Sequence, residues 1–224
     1  MRKLRTLDQP LPLARLAYEA LRDSILSGRL KTGEIYNEMR LAKELGISRT
    51  PVREALLELS AQGLVTFLPR KGVIVNHYTE HDVEEIFELR KAIELAAVEK
   101  VAKIAGPNNI TKIEKVFNDQ KAALKKNDYS GFLQADRRFH SLFGEMTNNR
   151  RLTAILDNIR DMVHLMGLQA LSQTGRREEV IDEHEKTLEA LKQGDPAGAR
   201  KSLEHHLERS RKAVLEQLES QKKE

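Results

Sequence analysis

The chain has 224 residues, of which 40% are hydrophobic and 32% charged, so it is long enough to bury a substantial core and to form two domains. It contains no cysteine, which excludes disulfide bonds and thiolate metal sites. No stretch has the length of a membrane span. Asp8 and two prolines interrupt the basic N-terminus, so we expect no signal peptide and a cytoplasmic protein.

The excess positive charge lies in the first third of the sequence. Residues 1–78 contain 13 Lys and Arg against 8 Asp and Glu, whereas residues 79–224 contain 25 against 26. Such a distribution is expected where one part of the chain binds a polyanion and the remainder does not. The excess is small, however, and many solvent-exposed surfaces carry as much.

Two helices are predicted at the start of the first domain. Apolar residues recur at helical spacing within residues 12–28, and Gly28 ends this helix. The following residues 29–37 are predicted to form a turn built on Gly33. Residues 38–46 form a short second helix with Gly46 at its C-terminal cap.

A third helix and a hairpin complete this domain. The helix runs from about Ser48 to Gln62, and one of its faces is apolar. The apolar period then changes, which predicts two strands, Leu64–Leu68 and Val73–Asn76, joined by a turn at residues 69–72. This order of elements is typical of a winged helix-turn-helix, which we assign to residues 1–78.

The remaining residues 79–224 predict an all-helical bundle of about six helices. Asp195 and Pro196, a capping residue followed by proline, mark the start of the last one. The other helices are predicted at residues 79–105, 110–126, 129–146, 151–171 and 177–194. The fold class is therefore mainly α, with an N-terminal winged helix-turn-helix and a C-terminal helical domain.

Basic and hydroxyl side chains collect at two places in the winged domain, namely the start of the third helix and the tip of the hairpin. They are Ser48, Arg49, Thr50 and Arg53 on the helix, and Arg70 and Lys71 on the hairpin, where Gly72 completes the candidate DNA-binding set. A helix N-terminus favours a phosphate, and arginine suits bidentate contact with guanine or phosphate. Any single feature also fits an ordinary solvent-exposed surface, but all of them in this order favour double-stranded DNA.

Three of the seven histidines and one aspartate form a candidate metal site. Asp136 and His140 are four residues apart on one helical face, while His184 and His206 lie on the apolar stripes of two later helices. A divalent cation would satisfy these buried polar groups, although each histidine could instead be a hydrogen-bonded core or interface residue. The ion could be zinc, nickel, manganese or iron. The other histidines, which we interpret as edge or surface residues, are His77, His81, His164 and His205.

Arg90 also lies on an apolar helical face, together with Ile86, Ile93 and Ala97. A buried guanidinium needs an anion. That anion is either Glu94, one helical turn away, or another internal acid, or the carboxylate of a bound effector.

The motif SRTPVREAL at Ser48–Leu56, within the stretch from Ile35 to Val75, resembles the DNA-binding domain of GntR-family transcription regulators. The segment FELRKAIELAA and the helical remainder resemble the FadR-like branch, whose second part is an FCD effector-binding domain. The resemblance implies operator contacts by Arg49, Thr50, Arg53 and the Gly72 region. Many family members carry arginine at the position of Met39, so that contact is not expected here, and neighbouring Arg40 should point elsewhere.

The same resemblance implies a metal site formed by an Asp-x-x-x-His pair and two later histidines, and small organic acids as effectors. The matching residues are Asp136, His140, His184 and His206. We therefore expect a metabolite-responsive regulator, more specifically a repressor, that binds a palindromic operator as a homodimer. The alternatives are a metal-dependent hydrolase, for which no catalytic motif is present, and a DNA-binding protein whose helical domain is purely structural.

Overall fold

The computed structural model describes residues 12–104, 106–170 and 175–221. The chain divides into two compact units, Met1–His77 and Tyr78–Glu224, with the division one residue before the boundary that the sequence indicates. The sequence-based expectation for residues 1–11 and the predicted helix ends at Ala105 and Leu171 lie outside the described residues.

The first unit has the predicted order of helices and strands. Its helices are α1 (Leu13–Leu26), α2 (Glu38–Leu45) and α3 (Arg49–Ala61), and its strands are β1 (Ile35–Tyr36), β2 (Val65–Leu68) and β3 (Gly72–Val75). The strands form an antiparallel sheet in the order β1-β3-β2. The winged helix-turn-helix predicted from the sequence is therefore confirmed.

Strand β1 corrects the sequence-based prediction, which treated residues 29–37 as a turn. Ile35 pairs with Ile74 and Tyr36 with Val73, and the backbone N–H of Gly33 donates to the carbonyl of Val75 at 2.8 Å. A strand of two residues is too short to show an alternating pattern in the sequence. It forms because the open edge of β3 supplies its hydrogen-bond partners.

The orientation of α3 follows from its apolar face and from the turn that precedes it. Gly46 adopts a left-handed conformation (φ 67°) that ends α2, and the N–H of Ile47 bonds the carbonyl of Ala42. The buried side of α3 consists of Val52, Ala55, Leu56 and Leu59. The opposite side of the helix therefore carries its arginines into solvent.

The second unit is an all-helical bundle, as predicted. Within the described residues it has six helices: α4 (Glu80–Ile104), α5 (Pro107–Lys125), α6 (Tyr129–Met146), α7 (Arg150–Ala170), α8 (Arg176–Lys192) and α9 (Pro196–Gln221). Helix α4 packs on α9, α5 on α6, and α8 on α9. Asp195 caps α9 by accepting hydrogen bonds from the N–H groups of Ala197 and Gly198. None of the described helices is both long and apolar enough to cross a membrane.

Candidate nucleic-acid interface and metal centre

The first unit has a concavity with a volume of about 590 Å³ between the start of α2, the start of α3 and the turn between β2 and β3. We call the wall of this concavity the concave surface. Five of the residues predicted to bind DNA line it, namely Arg49, Arg53, Arg70, Lys71 and Gly72. The other two, Ser48 and Thr50, are exposed at the start of α3 and do not belong to this lining. The two basic clusters recognised in the sequence thus face a common space.

Glu38, which the sequence did not single out, holds both arginines of α3. One carboxylate oxygen accepts from Nε of Arg49 at 2.8 Å, and the other accepts from Nη1 of Arg53 at 2.9 Å. Burial raises the pKa of the Glu38 carboxyl, but the two guanidinium groups outweigh it and the pKa lies below its usual value. Glu38 therefore stays charged at neutral pH and fixes two guanidinium groups on side chains that remain more than half exposed.

The hairpin turn is anchored to the start of α2 through Gly72. Its φ is +126°, and a Cβ atom at this position would lie 2.3 Å from the carbonyl oxygen of Tyr36, so only glycine fits. Arg70 occupies the left-handed region (φ 63°) at the third position of a turn that the hydrogen bond from Lys71 N–H to Leu68 C=O closes. The turn thus presents two basic side chains next to each other on the concave surface.

Met39 lies in the same lining, whereas Arg40 does not. Met39 is 65% exposed, and Arg40 pairs with Glu44 at 2.9 Å along its own helix. The expectation that Arg40 points elsewhere fits this geometry. The concave surface therefore carries Met39 and other apolar side chains, Leu57 and Phe67 among them, beside the basic ones.

In the second unit, Asp136, His140, His184 and His206 converge from α6, α8 and α9. One potential ligand atom of each residue lies within 4.8 Å of those of the other three. The three imidazoles are buried and Asp136 is partly buried. Donor atoms bound to one ion at about 2.1 Å lie no more than about 4.2 Å apart, so small side-chain movements suffice for this set to hold one ion.

Each imidazole is oriented by an oxygen atom that bonds its Nδ1. The distances are 2.5 Å from His140 to Glu94, 2.8 Å from His184 to the amide oxygen of Gln120, and 2.7 Å from His206 to Glu183. These oxygens accept hydrogen bonds, so each Nδ1 carries the proton and each Nε2 presents a lone pair.

The three Nε2 atoms face one another at the centre of this cluster. The Nε2 atoms of His184 and His206 are 3.4 Å apart, and Nε2 of His140 has no hydrogen-bond partner among the described residues. Ser210 Oγ lies 3.5 Å from Nε2 of His206, but the buried lone pair of His140 has no donor, and a cation would remove that cost. Because the donors are nitrogen and oxygen, the set fits a divalent transition metal or zinc.

The charge states of the cluster favour a cation at neutral pH. Burial lowers the pKa of His140 to about 4, against the opposing effect of Glu94, and also lowers the pKa values of His184 and His206. Burial raises the pKa of Asp136, but Arg160 and the imidazoles hold it below its usual value. The cluster therefore offers three neutral imidazoles and one carboxylate at pH 7.

Two buried arginines lie beside this cluster. Arg90 donates from Nε to Glu94 at 2.8 Å, and Arg160 donates from Nη2 to Asp136 at 2.6 Å. Nη2 of Arg90 and Nε of Arg160 have no hydrogen-bond partner within the described part of the chain. Glu94, the internal partner that the sequence allowed for Arg90, is thus present, and it leaves N–H donors unused.

A cavity of about 50 Å³ lies against these side chains, which is room for a few water molecules. Arg90, Asp136, Arg160 and His206 line it, together with His164. His164, interpreted from the sequence as an edge or surface residue, is half-buried on the cavity wall. His77, His81 and His205 are exposed, as expected.

Helices α6 and α7 are joined by two adjacent ion pairs. Asp136 binds Arg160, and Arg137 binds Asp161 at 2.7 Å, so each helix contributes one acid and one base in opposite order. Burial raises the pKa of Tyr78, the first residue of the second unit, and the nearby negative charge of Asp161 raises it as well. The candidate ligand Asp136 is therefore connected to α7.

Two site residues that the sequence analysis missed, Arg160 and Gln120, do stand in a recognisable sequence pattern. Arg160 has Leu156 four residues before it and Val163 three residues after it, which is the pattern that identified Arg90. Gln120 likewise lies between Phe117 and Ala123 at helical spacing. A polar residue on an apolar stripe is therefore a usable sign of a buried partner.

Comparisons with known proteins agree with this architecture. Residues 85–209 match the profile described as the FCD domain, and residues 13–75 match the one described as bacterial regulatory proteins, gntR family. The HTH-type transcriptional regulator YdhC of Bacillus subtilis is 31% identical over 89% of this chain and 90% of its own length. The gluconate operon transcriptional repressor of the same organism is 30% identical over 87% of this chain and 81% of its own.

A solved structure, E. coli McbR/YncC, has a similar fold. It superposes with a TM-score of 0.83 at 23% identity, and the match covers 93% of this chain and 99% of that chain. At this level of identity the likeness concerns the fold.

Proposed function

Since the chain belongs to the gntR family of bacterial regulatory proteins and carries an FCD domain, we propose that it is a metabolite-responsive repressor. In this proposal its winged unit binds a palindromic operator in the cytoplasm, and its helical unit holds a divalent metal ion and binds a small organic acid. The observation that carries the proposal is the meeting of three neutral imidazoles and one carboxylate beside a cavity lined by buried guanidinium groups.

The DNA half of the proposal is supported by the concave basic surface. A helix-turn-helix inserts its second helix into the major groove with the N-terminal end leading, which is where Arg49 and Arg53 lie. Arg70 and Lys71 on the hairpin would then contact the backbone or an adjacent groove. Their charge supplies affinity that falls steeply with salt, while the arginines of α3 read bases.

The sensing half is supported by the side chains around the cavity. Asp136, His140, His184 and His206 would hold the metal, and their Nδ1 partners keep the imidazoles in the orientation that this requires. When bound, the ion supplies a positive charge to which a carboxylate can coordinate. The unused N–H groups of Arg90 and Arg160 would donate to the same carboxylate or to a second polar group of the ligand.

A homodimer follows from the small footprint of one recognition helix. One helix reads only a few base pairs, and a two-fold axis doubles the contacts and makes the operator palindromic. A bound acid can change the operator affinity of the protein at most by the ratio of the acid's affinities for the DNA-bound and the DNA-free protein. Repression as the direction of control is supported by the name of the gluconate operon relative.

The test is a titration of operator DNA followed by fluorescence anisotropy. The operator is first selected from random duplexes, and sedimentation gives the stoichiometry of the complex. The protein is stripped with a chelator and reloaded with zinc, nickel, manganese or iron(II), and short mono-, di- and hydroxycarboxylates are then added. We expect two protomers on a symmetric site, and an acid that weakens binding only when metal is present.

Two variants distinguish the alternatives. His184→Ala should lose the response to the acid, whereas His205→Ala, which changes an exposed neighbour of His206, should keep it. If metal and His184 affect only the melting temperature and no acid changes DNA binding, the helical domain is structural. If no duplex is selected, the proposal as a whole is wrong. The metal-dependent hydrolase is the weaker alternative, because the family consists of regulators rather than enzymes.

A further inference from the structure

Met39 is an unusual side chain for its position. Its exposed fraction is the largest among the large apolar side chains of the described residues, and it lies on the surface that also carries the four basic side chains of the helix and the hairpin turn. Single exposed apolar residues are common on protein surfaces. Met39, however, shares the concave surface with Arg49 and Arg53, the side chains proposed to read DNA.

The backbone of Met39 is fixed relative to these arginines. Its backbone N–H donates to the side chain of Asn37 at 2.8 Å, which caps α2. The preceding residue, Glu38, accepts hydrogen bonds from both arginines, so its side chain connects the start of α2 directly to Arg49 and Arg53. Met39 therefore keeps its position on the surface, while its flexible thioether chain adapts to what it meets.

The chemistry of duplex DNA leaves one apolar group for such a side chain to contact on a base edge. In the major groove that group is the C5 methyl of thymine, whereas the other groups are hydrogen-bond donors and acceptors. The four basic side chains on the same surface favour DNA, a polyanion, over an apolar protein partner, which would have to desolvate them. We propose that Met39 contacts the methyl group of a thymine and so specifies thymine at one position of each operator half-site. This inference rests on the proposed DNA binding.

The experiment removes the methyl group without changing base pairing. Each thymine of the selected operator is replaced in turn by deoxyuridine, and the affinities of the wild type and of Met39→Ala are measured by anisotropy. Burial of one methyl group corresponds to about a fourfold change in affinity. We expect this loss for the wild type at one position in each half-site, and no loss for Met39→Ala at that position.

Leu57→Ala is the matched control. Leu57 is an exposed apolar residue of the same surface, but it lies two helical turns beyond the leading end of α3. This variant should keep the fourfold difference between thymine and deoxyuridine. Both substitutions change exposed side chains, so both variants should melt at the wild-type temperature.

The outcomes separate this inference from the function on which it rests. If no duplex is selected, DNA binding is refuted and the role of Met39 with it. If a duplex is selected but deoxyuridine is tolerated at every thymine, only the role of Met39 is refuted. The same holds if Met39→Ala suffers the same loss as the wild type at every position.

Discussion

The two units use arginine in opposite surroundings. Arg49 and Arg53 in the first unit keep 57% and 52% of their side chains exposed and share the carboxylate of Glu38, whereas Arg90 and Arg160 in the second unit are 1% and 2% exposed. An exposed guanidinium stays hydrated until it meets a large polyanion. A buried one has already lost its water and must be neutralised inside the protein. In the proposed function, the exposed pair suits a macromolecule and the buried pair suits a small anion.

The largest difference between the units is expected from a pair of matched substitutions. Arg90→Ala removes the arginine that donates to buried Glu94, leaving His140 and the more distant Arg160, and should lower the free energy of unfolding by about 3 kcal/mol. Arg53→Ala should leave that quantity nearly unchanged and weaken operator binding about 10- to 100-fold. Chemical denaturation and DNA titration measure the two effects. Equal stability losses in the two variants would remove the distinction between the two surroundings.

Removal of one candidate ligand tests whether the metal belongs to the second unit alone. His184→Ala should lower metal affinity more than about 100-fold, since even partners that only orient a ligand are worth about 10- to 100-fold. Operator affinity without effector should stay within about twofold. Calorimetric titration with zinc or nickel measures the metal affinity, and His205→Ala is the control. Stoichiometric, tight binding by His184→Ala would place the metal elsewhere.

Acid should destabilise the metal-free second unit before the first. The pKa of His140 is about 4 in the folded protein and about 6.5 in the unfolded chain, so the unfolded state binds more protons as pH falls through this interval. His140 alone should reduce the free energy of unfolding by about 2 kcal/mol at pH 5. The one histidine of the first unit, His77, is exposed. Scanning calorimetry in chelator between pH 8 and 5 should therefore show one transition moving, and a constant melting profile would contradict this.

The smallest effect is expected at Glu38, where the first unit has its one buried acid among the described residues. Glu38→Gln keeps the shape of the side chain but removes the charge that holds Arg49 and Arg53. We expect operator affinity to fall about threefold to tenfold, by loss of charge-assisted hydrogen bonds. Affinity for unrelated DNA should rise, because a negative charge leaves the surface.

The control for this substitution is Glu44→Gln, which changes an exposed acid paired with Arg40 outside the concave surface. Its ratio of operator to unrelated affinity should match that of the wild type. A parallel change of both affinities in Glu38→Gln would mean that Glu38 affects charge and not the orientation of the arginines.

Most of the helices could be predicted from the sequence, because their boundaries are set by local chemistry. Gly46 ends α2 through its left-handed conformation, and Asp195 begins α9 as a cap. The convergence of Asp136 with the histidines was predicted because each of these residues stands on an apolar stripe and a buried polar group needs a partner. Their proximity also depends on the packing of α6, α8 and α9 against one another, which the sequence pattern does not specify.

The groups that orient the site could not be assigned from local patterns. Glu94 is 46 residues from His140, and Gln120 is 64 residues from His184, so these pairs exist only through the packing of different helices. The same is true of Glu38, whose two arginines lie on the next helix. Sequence periodicity gives the face of a residue, but the partner on the facing helix is a property of the tertiary structure.

The paired acid and base residues on α6 and α7 restrict how a bound metabolite can act. Rotation of α7 about its axis by one residue position breaks both ion pairs: one direction brings Asp161 opposite Asp136, and the other brings Arg160 opposite Arg137. Rotation of one helix alone is therefore disfavoured. If the proposed acid pulls on Asp136, it acts on α6 and α7 together, so that an anion of a few atoms would move some forty residues of the chain.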